Sequence, residues 1–301
     1  MLAPLVLSLL AGVSPQEADT PAWLGCWRAT DDSKQVLLFE EDRACWLREG
    51  KPSFHRLSHE GSSLTLERWA NLTELNVASQ EDGYLHVTGE GLDLSFEPCE
   101  VPAELTVQPY DWPEDVELDA DTARALQADL AVRIVEDQRV RQFGGQPTQA
   151  QMDEMRRVDE DNTEFLMGIV EELGWIDAQR FGREAADAAF LIVQHCSDLR
   201  LMCSALPHIE ADVRAGRLGG QAYALLFDRY RLNTGYLQRY GSQIGRSEGL
   251  GSVLMPCEDI ETIDERRAQL GMGTLAEYLA LFRSSPDQAP PAHLPDVMGA
   301  R

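Results

Sequence analysis

The chain has 301 residues, of which 51 are acidic and 26 are Lys or Arg, so its formal net charge is −25. Phosphate binding needs clustered basic side chains, so this charge argues against nucleic acid and anionic membrane surfaces as partners. The apolar fraction of 44% is high enough to build hydrophobic cores and excludes a disordered chain, and the length is typical of two domains.

Residues 1–18 predict a signal peptide. They contain an apolar stretch of about ten residues, which is too short to cross a bilayer but suits the core of a signal peptide. No Lys or Arg precedes this stretch, and Gln16 stands where a small residue is usual before cleavage after Ala18. We expect export to the periplasm or the extracellular space, with the cytoplasm as the alternative. No later segment has transmembrane length.

Residues 19–100 have the short alternating pattern of an antiparallel sheet. Leu64 and Leu66, for example, mark one face of a strand, and turn signals such as Glu81-Asp82-Gly83 follow the apolar pairs. Several such strands predict a β-meander that forms a small barrel or sandwich. The opening Trp23-Leu24-Gly25-Cys26-Trp27 resembles the Gly-x-Trp start of lipocalin-like barrels. Its aromatic side chains either close a small core or border a ligand-binding calyx.

The chain contains six cysteines, an even number that is typical of an oxidising compartment. Cys26 and Cys99 belong to the first and last predicted strands of the β domain, so a disulfide between them is geometrically attractive. No spacing typical of a zinc site occurs. Cys196 and Cys257 are the cysteines that remain available for covalent catalysis, unless they are buried or form disulfides.

The rest of the chain predicts an acidic, proline-containing linker over residues 101–120, an all-α domain over 121–283 and a flexible tail over 284–301. Tyr110 and Trp112 would order the linker if they dock on a neighbouring element. The overall fold class is therefore α+β, a β-meander domain followed by a helical bundle. Helices are predicted at about 121–143, 147–173, 180–196, 198–215, 219–234, 258–270 and 274–283.

Gln194 and His195 form the most informative polar pair, because they end the apolar run Ala188–Val193. Polar groups at the end of a buried helix need partners. A carboxylate beside an imidazole fixes its tautomer and raises its basicity, as a general base requires. Asp198 is one candidate for that carboxylate, or it caps the next helix. His195 as a satisfied core residue remains the alternative.

Two further helices carry charged side chains near the expected core. Asp137 and Arg141 either belong to a solvated ladder of ion pairs or point into a polar cavity. Asp159 and Asn162 share one face of their helix at the edge of the core, where a buried carboxylate would need donors such as arginines.

A second polar region runs from Asp228-Arg229 to Arg267. Within it Gln238, Tyr240 and Gln243 surround a glycine at which backbone can approach a ligand closely. Asp259 opens the following helix, where an acid at the first turn has a purely structural explanation.

These motifs together resemble the bacterial domain of unknown function 6624 family over about residues 126–282. The resemblance implies an all-helical domain whose polar motifs converge, and it brings no established activity. The chain departs from the family pattern at Ile176 and at Cys196-Ser197-Asp198. The matching motifs are Asp137-Gln138 with Arg141; Val158-Asp159 with Asn162; Gly174-Trp175; Ala189–His195; Leu206-Pro207; Asp228-Arg229; Gln238, Tyr240, Gly241 and Gln243; Pro256 and Asp259; and Asp264 and Arg267.

Three hypotheses about function follow. The first is an exported enzyme of hydrolase-like chemistry in which His195 is the acid or base. The second is a non-catalytic module that binds a small polar ligand or peptide, and the third is a buried polar network that fixes helix packing. The sequence indicates no particular cofactor, metal or oligomeric state. The candidate ligand-binding residues are Asp137, Arg141, Asp159, Asn162, Gln194, Asp228, Arg229, Gln238, Tyr240, Gln243, Asp259 and Arg267.

Overall fold

The structure is a computed structural model, and it describes residues 21–69, 71–79, 83–89, 91–114, 116–143, 147–247, 251–282 and 291–293. The predicted signal peptide, residues 1–18, lies outside the described residues. So does the predicted tail, 284–301, except for residues 291–293. Within the described ranges, no helix combines the length and the apolar character that a membrane span requires.

The amino-terminal region is a closed barrel of eight antiparallel strands. Each strand pairs with the next in the chain, and β8 pairs with β1. Of the two predicted architectures, the barrel is therefore confirmed. The strands are β1 Gly25–Ala29, β2 Val36–Phe39, β3 Arg43–Arg48, β4 Lys51–Glu60, β5 Ser63–Arg68, β6 Asn71–Ser79, β7 Leu85–Gly89 and β8 Leu92–Pro98.

The barrel interior is a packed hydrophobic core. Cross-strand pairs such as Leu64 with Leu75 are buried on the inner face, as the alternating pattern predicts. Trp23 and Trp27 belong to the same core, where the Trp27 indole donates to the Trp23 carbonyl at 2.9 Å. Trp23 also meets Phe39 edge-on, with ring centroids 5.9 Å apart. These contacts favour the core interpretation of the opening aromatic residues over the calyx.

The predicted cysteine pair lies where β1 meets the end of β8. The Cys99 N–H donates to the Cys26 carbonyl at 2.9 Å, and the two Sγ atoms are 3.1 Å apart. Both cysteines are free thiols in this structure. They belong to an apolar patch on the barrel surface, which Leu105 of the 3-10 helix Ala103–Leu105 covers.

The helical region contains α1 to α8, with α4 in contact with α1, α2, α5 and α6. Small side chains such as Ala185 and Ala189 are buried on α4 and allow these neighbours to approach closely. The helices are α1 Ala120–Arg139, α2 Gln149–Leu173, α3 Ala178–Phe181, α4 Arg183–His195, α5 Leu199–Arg214, α6 Gly220–Asn233, α7 Ile263–Gln269 and α8 Leu275–Ala280, with a 3-10 helix Ile260–Thr262 before α7.

A short sheet accompanies these helices, although the sequence pattern predicts only helices there. β9 (Ile244–Ser247) pairs antiparallel with β10 (Gly251–Leu254), and β10 pairs in parallel with β11 (Ala292–His293). The strands are too short to produce a clear alternating pattern. β11 comes from the segment predicted as a tail.

Specific contacts join the linker to the helices. The Tyr110 hydroxyl donates to Asp198 Oδ2 at 2.8 Å, and the Tyr110 N–H donates to Ser204 Oγ at 2.6 Å. Trp112 stacks on Trp175 with a centroid distance of 5.9 Å. The linker is therefore ordered where its two aromatic residues dock.

The barrel also contacts the helices directly. The Trp69 indole donates to Asn233 Oδ1 at 2.9 Å, and the Arg43 guanidinium lies 4.2 Å from the centre of the Tyr236 ring. Gly235 has φ of +82° and packs against the backbone of His55, so a side chain at this position would meet the His55 carbonyl. These contacts place the end of α6 and the residues that follow it against β4.

Candidate functional site

Three helices bring Asp137, Asp159 and His195 together in what we call the Asp–His centre. Asp137 lies in the last turn of α1, Asp159 in the middle of α2 and His195 at the end of α4. His195 Nδ1 lies 3.0 Å from Asp137 Oδ1. The Asp137 side chain is 1% exposed and that of His195 is 17% exposed, so the carboxylate lies behind the ring.

Arg141 bridges the two carboxylates of the Asp–His centre. Its Nη1 donates to the Asp137 carbonyl at 2.8 Å and lies 3.1 Å from Asp137 Oδ1, while Nη2 pairs with Asp159 Oδ1. Gln138 Nε2 donates to Asp137 Oδ2 at 2.7 Å. The Asp137 carboxylate therefore has partners at both oxygens, as a buried charge requires.

The two carboxyl groups differ in their electrostatic environment. Burial raises the pKa of Asp137, but the hydrogen bond and charge of His195 and the charge of Arg141 outweigh it and lower the pKa. At Asp159 burial is the stronger effect, so its pKa is raised despite the hydrogen bond from Arg141. Asp137 is therefore suited to stay ionised behind the ring, and Asp159 is better suited to hold a proton.

A groove of about 580 Å³ opens at the Asp–His centre. Most of its lining comes from one face of α2, because residues three and four apart lie on the same side of a helix. Since Nδ1 faces Asp137, Nε2 is the ring nitrogen of His195 that is available to a molecule in the groove. The groove is lined by Met152, Met155, Arg156, Asp159, Glu160, Thr163, Glu164, His195 and Ser197.

The same three side chains could hold a metal ion. One ligand atom from each of Asp137, Asp159 and His195 lies within 4.8 Å of the others, and carboxylates with an imidazole suit several divalent metals. Arg141, however, contacts both carboxylates and already supplies positive charge. A metal ion would therefore have to compete with this guanidinium for the two carboxylates.

Two predicted amide residues lie beside the Asp–His centre with incomplete hydrogen bonding. Asn162 follows Asp159 by one helical turn, and Gln194 precedes His195; both are buried. Asn162 Oδ1 accepts from Arg133 at 3.2 Å. Among the described residues, Asn162 Nδ2 and Gln194 Oε1 have no hydrogen-bond partner. Buried polar atoms without partners point to water or a ligand that completes them.

Asp228 belongs to a separate, fully satisfied network on α6. Its carboxylate accepts from the backbone N–H groups of Arg239 at 2.7 Å, Tyr240 at 3.1 Å and Ser242 at 3.0 Å. It is completely buried. Asp228 therefore anchors the loop that follows α6, and none of its contacts reaches the groove.

Gln238 and Gln243 hold the same loop together. Gln238 Nε2 donates to the Met255 carbonyl at 2.6 Å, and its Oε1 accepts from the Gln243 N–H at 2.8 Å. Gln243 Nε2 donates to the Leu225 carbonyl at 2.9 Å. Arg267 Nη1 then donates to the Tyr240 carbonyl at 2.8 Å. The amides expected around a ligand are thus used to bind backbone.

Three other predicted residues are placed as follows. Tyr240 is buried with its ring edge-on to Phe227 at a centroid distance of 5.8 Å. Asp259 adopts a left-handed conformation with φ of +39°, and its side chain does not cap the helix that follows. Arg229 lies between the networks, because Nη1 donates to the Gln194 carbonyl at 2.7 Å and Nε to Gln243 Oε1 at 3.3 Å.

Asp198 is not the carboxylate that contacts His195. Its Oδ1 caps α5 by accepting from the N–H groups of Arg200 at 2.8 Å and Leu201 at 3.0 Å. The neighbouring Cys196 is buried, and burial raises the pKa of its thiol to about 12. Cys257 is similar, so neither cysteine is suited to nucleophilic catalysis.

Sequence reasoning missed the side chains that line the groove beside Asp159. Met155 and Thr163 stand four residues before and after it, and Ser197 follows His195 by two. The helical spacing from Asp159 would have identified the first two. No signal in the sequence singles out Ser197.

Comparison with known proteins identifies the helical region. The model of a family described as Family of unknown function (DUF6624) matches residues 118–286, which is more than half of the chain and includes the whole Asp–His centre. No curated protein and no solved structure matches the chain significantly. The β-barrel lies outside the match. The chain belongs to the DUF6624 family.

Proposed function

We propose that the groove binds a small polar ligand or peptide and that His195 serves there as a general acid or base in hydrolase-like chemistry. One observation carries this proposal: a buried Asp137 carboxylate contacts Nδ1 of a histidine whose ring lines the groove. Such a carboxylate sets the tautomer and stabilises the imidazolium that forms during proton transfer.

Asp159 supplies a second group for proton transfer in the same groove. Its side chain is 17% exposed, in contrast to the enclosed Asp137. Burial raises its pKa, which makes it the better proton donor of the two carboxyl groups. Because their polar atoms lie within 4.8 Å of each other, His195 and Asp159 can then take acid and base roles toward the same part of a bound ligand.

Asn162 and Gln194 are not among the residues that line the groove, but each has a buried amide atom without a partner among the described residues. One is a donor and the other an acceptor, and each belongs to a residue next to or one turn from the Asp–His centre. A buried polar group without a partner costs about 1–3 kcal/mol, so a bound molecule or water that completes both would stabilise the fold.

A purely structural role is the second candidate. The hydrogen bonding of several residues in the family motifs favours it. Asp228, Gln238 and Arg267 have protein partners and lie outside the groove. For these residues we propose a role in loop packing. A non-catalytic binding module remains the alternative for the groove itself.

The test is a panel of dipeptides and chromogenic ester, amide and phosphate substrates, applied to wild type, His195→Gln and His86→Gln. His86 lies in the barrel and is the matched histidine control. Wild type and the control are expected to turn over a hit that His195→Gln turns over about 10²–10⁴-fold more slowly. Binding without turnover in wild type would establish the non-catalytic alternative, and equal turnover in all three would refute the proposal. Elemental analysis of the same samples tests the metal alternative.

We also propose that the protein is exported and that Cys26 and Cys99 form a disulfide in the oxidising compartment. Their thiols are already adjacent across β1 and β8. Full-length protein made in a bacterial host is expected in the periplasm, with a linked Cys26–Cys99 peptide in the non-reduced digest. Cys45, in the same surface patch, is the control and is expected to be alkylated after unfolding. Alkylation of all three cysteines without reductant would contradict the pairing.

A further inference from the structure

The Arg229 side chain donates hydrogen bonds to other parts of the protein, although its motif suggested that it contacts a ligand. It lies on α6 and is absent from the lining of the groove. Two of its donors have protein acceptors: Nη1 donates to the Gln194 carbonyl at 2.7 Å, and Nε donates to Gln243 Oε1 at 3.3 Å.

The Gln194 carbonyl is one that α4 itself leaves without a partner. The last carbonyls of a helix have no N–H group one turn further on, so they need other donors. The Cys196 N–H satisfies the Ile192 carbonyl at 2.9 Å, but Gln194 is too close to the helix end for such a bond. Arg229 therefore fixes the peptide bond that directly precedes His195.

The guanidinium is itself held in place from the other side. Gln243 accepts from Arg229 Nε, and it also donates through Nε2 to the Leu225 carbonyl at 2.9 Å. Its own N–H donates to Gln238 Oε1 at 2.8 Å. A chain of directed hydrogen bonds thus runs from the loop after α6, through Arg229, to the end of α4.

We infer that Arg229 is a positioning residue that holds the end of α4, so that the His195 ring stays against Asp137 with Nε2 toward the groove. This inference rests on the proposed function of His195, yet the geometry of the ring can be measured without a ligand. The planar fork of Arg suits the task because it binds two acceptors in fixed directions, which the ammonium of Lys does not.

The experiment records ¹⁵N spectra of the His195 ring in full-length wild type, Arg229→Gln, Arg229→Lys and Arg231→Gln, at a pH where the ring is neutral. Wild type is expected to show one tautomer, with Nδ1 protonated and Nε2 unprotonated. Arg229→Gln is expected to shift both nitrogen signals toward the average of the two tautomers, and Arg229→Lys to shift them less. Arg231 is the matched control, because this partly buried arginine of α6 donates to the Leu237 carbonyl, away from His195.

Wild-type ring signals in folded Arg229→Gln would overturn the inference. If that variant does not fold, wild-type signals in Arg229→Lys would overturn it equally. Displaced signals in Arg231→Gln would show a general effect of disturbing α6 and would also count against it. The proposed function fails separately: a displaced ring in Arg229→Gln together with equal turnover by His195→Gln would leave the positioning role intact and refute the acid–base role.

Discussion

Replacing Asp228 by alanine is expected to lower the stability of the fold without changing the residues that line the groove. The carboxylate is completely buried and accepts hydrogen bonds from the backbone N–H groups of Arg239, Tyr240 and Ser242. Tyr240 and Ser242 are themselves buried, so water cannot easily replace the lost acceptor.

The magnitude follows from these donors. Each buried N–H left without a partner costs about 1–3 kcal/mol, so the two buried donors predict a loss of roughly 2–6 kcal/mol in the free energy of unfolding. A domain has only about 5–15 kcal/mol in total, so this loss is large. Asp228→Asn keeps one acceptor oxygen and is expected to lose about half as much.

Urea unfolding, monitored by the circular dichroism signal of the helices, measures this loss of stability. Asp161→Ala is the control, because Asp161 is 70% exposed and pairs only at the surface with Arg133, so it is expected to lose no more than about 1 kcal/mol. If Asp228→Ala matched this control in stability but no longer bound a ligand that wild type binds, the loop-anchor interpretation would be refuted. Asp228 would then belong to the binding site.

Three further outcomes can be measured on the same protein. Burial lowers the pKa of His55 from 6.5 to about 4, so the stability that depends on neutral His55 is complete above pH 6.5 and is lost as the pH falls to 4. The loss in the free energy of unfolding is at most about 3 kcal/mol. His55→Asn should abolish this pH dependence, whereas His59→Asn should retain it because His59 is exposed. Gly174→Ala should lower the melting temperature through about 1–3 kcal/mol of strain, because φ is +74° and a Cβ would collide with the Pro113 carbonyl. Native Cys196 should resist iodoacetamide at neutral pH and react once urea unfolds the chain, because its thiol is buried.

The barrel shows which features of the fold a local sequence pattern predicts and which it does not. Alternating apolar residues predict each strand, because every second side chain faces the core. The choice between barrel and sandwich depends on whether the last strand returns to the first. That closure is a pairing such as Trp27 with Pro98, between distant positions, and no local pattern encodes it. The sequence therefore predicts the meander, while only the structure distinguishes the closed form.

The Asp–His centre shows the same limit at the level of single side chains. The amphipathic pattern of α4 identifies His195 as a polar group at the end of an apolar face. Closeness in sequence suggested Asp198 as its carboxylate, but Asp198 caps the next helix and Asp137 contacts the ring instead. The partner is decided by the packing of α4 against α1, which brings together residues that are far apart in the chain.

Membership of a family therefore does not separate functional from structural motif residues, but hydrogen bonding does. Asp228 and Gln238 have their acceptors and donors completed by protein, so a ligand would gain little from them. Asn162 and Gln194 each retain a buried atom without a partner, and His195 has one ring nitrogen committed to Asp137 while the residue lines the groove. Because an unpaired buried group lowers stability, water or a ligand is expected to complete these two atoms. The search for a ligand should begin with molecules that offer both an acceptor and a donor to the groove that Asp159 and His195 line.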